Sequence, residues 1–150
     1  MSPAALVKRF GSKRGLLLAV VTTWVATIPD ASLDGIGDPL DVLEAQLRDD
    51  FVGLEAATST AHLGLLLAEL ADPEIRSLVR EGWRRQQAVY TALLSAAQRQ
   101  GALRGPAPER AGAMVMALAQ GVALRWSVEP DGALPDAQTA ALDILLEGWR

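Results

Sequence analysis

Apolar residues along this chain recur every three or four positions, with polar residues between them. That spacing predicts helices, because it gathers apolar side chains on one face of a 3.6-residue turn. A short first helix is expected over residues 3–10. Ser2 is its N-cap candidate, Pro3 takes the first helical position, and Gly11 suits the left-handed residue after Phe10. Ser12 can cap a second helix, in which Leu17, Val20, Val21, Trp24, Val25 and Ile28 are in register until Pro29 stops it. From Pro39 another helix places Leu40, Leu43, Leu47, Phe51 and Leu54 on one face, and the Thr-Ser-Thr at 58–60 can break or kink it. Residues 61–72 read as a buried helix. Asp72 then caps the longest helix, over 73–100, with Ile75, Leu78, Val79, Trp83, Val89, Tyr90, Leu93, Leu94 and Ala97 in its stripe. A helix over 109–128 carries Met114, Val115, Leu118, Val122 and Trp126. After a turn-rich connector, a last helix over 137–150 is apolar at Leu142, Leu145 and Trp149.

No β-branched alternating segment of useful length interrupts this pattern, so the fold class is all-α and one domain suffices for 150 residues. Half the residues are apolar and only 5% aromatic, a balance that favours helices. There is no cysteine, which excludes disulfides and thiolate chemistry. With His62 the one histidine, a zinc site is not expected, nor is any cofactor. Charge divides the chain unevenly. Lys8, Arg9, Lys13 and Arg14 stand in the first fourteen residues without an acid, leaving ten basic against eighteen acidic residues beyond them. The basic start followed by an apolar run looks like a secretory signal. The run is too short to span a membrane, however, and Thr22, Thr23 and Thr27 break it.

Candidate chemistry is sparse. No phosphate-binding glycine loop and no nucleophile elbow is present. Asp49 and Asp50 are helix neighbours expected to point apart. Asp30, Asp34 and Asp38 do not follow calcium-loop spacing and read as solvated acids. A catalytic role is therefore not expected. Arg76, Arg80, Arg84 and Arg85 form a basic ridge, read as a solvated face, with Glu81 able to pair with Arg85. Four tryptophans beside two Phe and one Tyr is an unusual balance. Core packing accounts for each ring, yet Trp24, Trp83 and Tyr90, with His62 as a polar group, could equally line an internal cavity.

The segment Ser-Pro-Ala-Ala-Leu-Val-Lys-Arg-Phe-Gly-Ser-Lys-Arg-Gly-Leu-Leu-Leu-Ala-Val (residues 2–20) resembles the end of the DNA-binding module of TetR-family transcriptional regulators. In that family a recognition helix starts after Ser or Thr and ends at a Phe, and a Gly or Pro, a Ser and a Lys open the connecting helix. Phe10, Gly11, Ser12 and Lys13 match those positions, and Leu16, Leu17 and Ala19 match the connecting helix. The remaining helices have the order of the family's ligand-binding and dimerisation domain. The resemblance implies that residues 1–13 are a remnant of the helix-turn-helix domain and that residues 14–150 are the C-terminal domain. It implies DNA contacts from Ser2, Ala4, Ala5, Lys8, Arg9 and Lys13. The family commonly has Tyr and then a basic or His residue before the Phe; here the positions are Val7, Lys8 and Arg9, so a Tyr contact is not available and phosphate attraction should dominate. Only the last of the three module helices is present, and a recognition helix of about nine residues is marginal alone, so DNA binding by this chain is expected to be impaired.

The same resemblance implies a cytoplasmic, ligand-responsive repressor whose full-length parent binds an operator. It implies a small, mostly apolar ligand in a cavity lined by Trp24, His62, Leu66, Trp83 and Tyr90, and no membrane partner. It also implies a homodimer through the last two helices, with Gly112, Ala113, Ala117, Gly121, Leu142, Leu145 and Trp149 at the contact. The alternative is a helical small-molecule-binding or protein-interaction module that does not bind DNA. A third reading is an exported helical protein.

Overall fold

The computed structural model describes residues 8–31, 37–51 and 55–150, apart from the side chain of His62. Within them it is built from helices, without a strand. Residues 8–10 are helical. Then follow α1 (Lys13–Thr27), α2 (Pro39–Asp49), a short 3₁₀ turn (Ala56–Thr58), α3 (Ser59–Ala71), α4 (Pro73–Arg99), α5 (Pro108–Val128) and α6 (Leu134–Glu147). Gly11, at φ 73°, makes the left-handed turn ahead of α1, and the Ser12 side chain accepts from the Gly15 N–H at 3.0 Å. Asp38 caps α2 and Asp72 caps α4, in both cases ahead of a proline whose missing N–H needs no partner. The Pro135 expected in the connector sits instead in the first turn of α6.

Helix α4 is the spine of the bundle. Its first half packs on α1 through Leu17, Val21, Val25, Ile75 and Val79. Its second half packs on α2 and α5, and α6 closes the cluster against those two, around Leu43, Leu47, Tyr90, Leu93, Leu94, Ala111, Val115, Leu142 and Leu146. These are two separate clusters of buried residues, and Trp83 packs against both. The pairing of residues fixes the directions. Arg14 meets Asp72 and Glu74 while Trp24 meets Gly82, so α1 runs parallel to α4. Asp50 meets Tyr90 while the start of α2 lies toward the far end of α4, so α2 runs against it.

The α4–α5 crossing is close because Gly112 has no side chain. A Cβ there would run into the Thr91 hydroxyl and come within 3.1 Å of the Thr91 backbone. Gln98 Nε2 donates to the Pro106 carbonyl at 2.8 Å across the α4–α5 connection, and the Arg104 N–H donates to the Trp149 carbonyl, tying the end of the chain to that loop. Gln138 is fully buried between α6 and α5, donating to the Ala119 carbonyl at 3.2 Å.

Three expectations from the sequence change. Helix α2 ends at Asp49 and does not continue through Phe51; the expected face residue Leu54 lies outside the described residues. Residues 61–72 form a helix that is half-exposed, not buried, and Leu67 is 69% exposed. This segment is apolar on all sides, but only α4 and α5 cover it, so its outer face stays open. Val20, assigned to the α1 stripe, is 45% exposed, because the stripe in contact with α4 is narrower than the run of apolar residues. Helix α5 is long and apolar enough to cross a membrane by length and composition; here Ala111, Gly112, Val115, Met116 and Ala119 face the bundle.

Two alanine substitutions separate packing from propensity. Gly112→Ala should destabilise the fold by about 1–3 kcal/mol, because the obstructing atoms include backbone. Gly64→Ala, on α3 with nothing within 4 Å of the new methyl, should stabilise by about 0.5–1 kcal/mol. Urea titration followed by circular dichroism measures both.

Candidate ligand cleft

The C-terminal ends of α1 and α2 come together over the middle of α4 and leave a cleft of about 360 Å³. Its α1 wall is Trp24, Thr27, Ile28 and Pro29, and its α2 wall is Gln46, Asp49 and Asp50. Pro29 ends α1 at this point, and the chain turns out at Ile28 with ψ 122°. On the other side α2 gives way at Asp50, whose N–H still donates to the Gln46 carbonyl at 3.0 Å. Asp50 keeps helical angles, φ -60° and ψ -20°, and continues the face of Leu43 and Leu47, which carries its side chain toward α4.

There it is held by neutral donors. Gln46 Nε2 donates to Asp50 Oδ1 at 2.8 Å, and the Tyr90 hydroxyl donates to Asp50 Oδ2. Burial pushes the Asp50 carboxyl above its ordinary range; the hydrogen bonds from Tyr90, Gln46 and Gln86 oppose this in part, and the Asp49 charge adds to the upward shift. The Tyr90 phenol is pushed up as well, first by burial and then by the Asp50 charge. Trp24 forms the other wall because its ring lies flush on α4 at Gly82, where a Cβ would collide with the indole. The same Trp24, with Thr27, borders a shallow second groove on the far side, lined by Arg9, Phe10, Ala19, Val20 and Thr23.

The candidate residues read from the sequence are distributed as follows. Trp24 lines the cleft, and Tyr90 lies fully buried behind it, reaching it through Asp50. Trp83 is half-buried between the two core clusters. Leu66 is half-buried on α3 and is not part of the cleft wall. The His62 side chain lies outside the described residues. Asp49 is exposed while Asp50 bonds to Tyr90, so the two differ in direction as expected, yet both border the cleft. Gln46 and Thr27 were not singled out in the sequence; nothing in their own spacing marks them, since it is the meeting of two helix ends that brings them together.

Of the residues expected at DNA, Ser2, Ala4 and Ala5 lie outside the described residues. Lys8, Arg9 and Lys13 are exposed, with the Arg9 guanidinium 5.3 Å from the Phe10 ring centroid. Arg14, the fourth cation of the basic start, is turned back onto the body, 2.6 Å from Asp72 and 2.5 Å from Glu74. Of the residues expected at a dimer contact, Gly112, Leu142 and Trp149 are buried within the chain itself, and Leu145 is half-buried against the same core. Ala113, Ala117 and Gly121 are exposed. The basic ridge of α4 is exposed as expected, with Arg84 and Arg85 both paired to Glu81.

The fold is an all-helical bundle preceded by an exposed basic helical turn, and comparison with known families gives it a class. A family model described as "BetI-type transcriptional repressor, C-terminal" matches residues 39–149. The chain belongs to the TetR family of transcriptional regulators, through a C-terminal domain of this type. No curated protein and no solved structure matches it.

Asp50 gives the cleft a testable signature. Its proton is held more tightly in the folded than in the unfolded chain. Stability from this group is therefore present at low pH and lost as pH rises from the ordinary value of 3.8 through the raised one. Asp50→Asn keeps an acceptor for Tyr90 and removes the titration. The variant's Tm should match the parent's well below pH 3.8 and exceed it increasingly as pH rises through the raised value, as read by thermal melts at constant ionic strength.

Proposed function

We propose that the chain is the ligand-binding and dimerisation part of a repressor that responds to a small molecule, acting in the cytoplasm, with residues 1–13 belonging to its DNA-facing module. The observation that carries this reading is the position of Trp24, which lines the cleft on one side and the groove beside Arg9 and Phe10 on the other. A ligand seated between Trp24 and Asp50 bears directly on α1. The other end of α1 leads through Gly11 and Ser12 into the basic helical turn. Displacement of α1 on α4 is then the route from ligand to DNA, and a coupling of about 1–3 kcal/mol is enough to change occupancy.

Arg14 sets the starting position of that helix. Its bonds to Asp72 and Glu74 join the N-terminus of α1 to the cap of α4, while the rest of the α1 contact is apolar. The Arg14 side chain is about half exposed, so the pair works as a screened, adjustable latch more than as a source of stability.

Dimerisation supplies the second recognition helix that a two-fold operator needs. The face suited to it is the exposed stripe of α5, where Ala113, Ala117, Gly121, Leu124 and Val128 follow one another along the helix. Leu124 is 56% exposed and Val128 75%, and Ile144 on the neighbouring α6 is 73% exposed. Small residues at one end and bulky apolar ones at the other allow two copies to approach closely and still bury apolar area. This assigns the contact to Ala113, Ala117 and Gly121 among the expected residues, and leaves Gly112, Leu142 and Trp149 to the core.

Light scattering on the eluting protein should give twice 15.9 kDa. Leu124→Asp combined with Ile144→Asp should give a monomer with an unchanged helical spectrum, because neither side chain belongs to the core. A parent that elutes as a monomer at micromolar concentration contradicts this reading.

A further inference from the structure

The cleft between α1 and α2 is lined by two carboxylates and by no cationic side chain among the described residues. Thr27 Oγ1 donates to the Trp24 carbonyl at 2.7 Å, and Gln46 Nε2 donates to Asp50 Oδ1 at 2.8 Å. Oxygens that can still accept are the Thr27 hydroxyl, the Gln46 side-chain carbonyl and the carboxylates of Asp49 and Asp50, beside one further Gln46 N–H and the Trp24 indole N–H. A carboxylate offers about four lone-pair sites, so Asp50 keeps capacity beyond its bonds to Gln46 and Tyr90.

The charges point the same way. Five acids among the described residues have an arginine partner: Asp72 and Glu74 have Arg14, Glu44 and Asp136 have Arg48, and Glu81 has Arg84 and Arg85. Asp50 is held by neutral groups only, and no Lys or Arg stands among the described residues of the cleft wall. Two helices also end here. The last residues of α1 and α2 are Thr27 and Asp49, and both line the cleft, which therefore receives the carbonyl ends of two helix dipoles. Helix C-termini favour cations. A half-buried carboxylate without a counter-ion is costly, and a ligand that covered it without compensating it would raise that cost.

We propose that this cleft binds a small organic cation, a primary or secondary ammonium on an apolar body, with the ammonium between Asp50 and Asp49 and the body against Trp24, Ile28 and Pro29. Free N–H groups suit the carboxylates, whose oxygens can accept further hydrogen bonds. The indole adds the attraction of an aromatic ring for a cation. Anions are excluded by the two carboxylates, and neutral apolar molecules leave Asp50 uncompensated. The volume of about 360 Å³ sets the scale of the ligand, within the ordinary range for small-molecule sites. This inference rests on the reading of the cleft as the ligand site and replaces the mostly apolar ligand expected from the sequence with a charged one.

The test is calorimetric titration of the full chain with three probes of similar shape: protonated phenethylamine, neutral 2-phenylethanol and anionic phenylacetate. The amine should bind at least about tenfold more tightly than the alcohol, and phenylacetate should not bind. Asp50→Asn should weaken the amine by about tenfold or more and leave the alcohol unchanged. Asp49→Asn, at an exposed position, should weaken the amine less and provides the same comparison if the Asp50 variant does not fold. Equal binding of amine and alcohol, or an amine affinity indifferent to both substitutions, overturns the assignment of a cation. Binding of the alcohol or of phenylacetate in its place overturns the cation but keeps the cleft as a ligand site. No binding by any probe counts against both.

Discussion

One helix is too long for any single partner. At 27 residues α4 extends about 40 Å, and its apolar positions run through nearly all of that length. Helix α1, with 15 residues, covers the first half, and α2, with 11, covers part of the second from the opposite direction. The two short helices therefore finish against each other over the middle of α4. The consequence is two buried clusters instead of one, joined at Trp83, and a gap above the join where neither helix reaches. The cleft is the residue of that mismatch in length. Its position is fixed by Pro29 and by the end of α2 at Asp49, and its polarity follows from what helix ends present.

The same geometry makes the seam a plausible place for movement in physical terms. Helix α1 touches the rest of the bundle chiefly through α4. Its contact is an apolar stripe of three buried residues, one tryptophan laid on a glycine, and an exposed arginine latch at one end. The second cluster is larger and draws on four helices, with Gly112 allowing a close crossing and the end of the chain tied back to the α4–α5 loop. A ligand wedged in the seam acts on the less tightly held side. The negative body of the chain and the positive start keep separate tasks. Lys8, Arg9 and Lys13 stay exposed, while Arg14 faces back to acids on the bundle.

Local chemistry was legible in the residues themselves. Gly11, Ser12, Pro29 and Asp72 mark ends that the structure reproduces, because capping depends on a few neighbouring side chains. The buried positions of α4 follow its period for the same reason. What periodicity does not reveal is which neighbour covers a face. Leu142 and Trp149 have the spacing of a contact surface, and that surface is consumed within the chain by α2, α5 and the α4–α5 loop. Residues 61–72 look like a core helix, yet lie at the edge of the bundle. Asp50 was hidden most deeply. In sequence it is one of two adjacent acids on a helix; its role arises from its place on the face of Leu43 and Leu47 and from Tyr90, forty positions away.

The central claim is that the seam between α1 and α2 receives the ligand and that charge selects it. The most direct measurement is a crystal structure of the chain soaked with phenethylamine. The account expects density in the cleft, with the nitrogen between Asp50 and Asp49 and the ring against Trp24. Density lodged elsewhere in the bundle, or in the groove beside Phe10 and Val20 with the cleft unfilled, would contradict it.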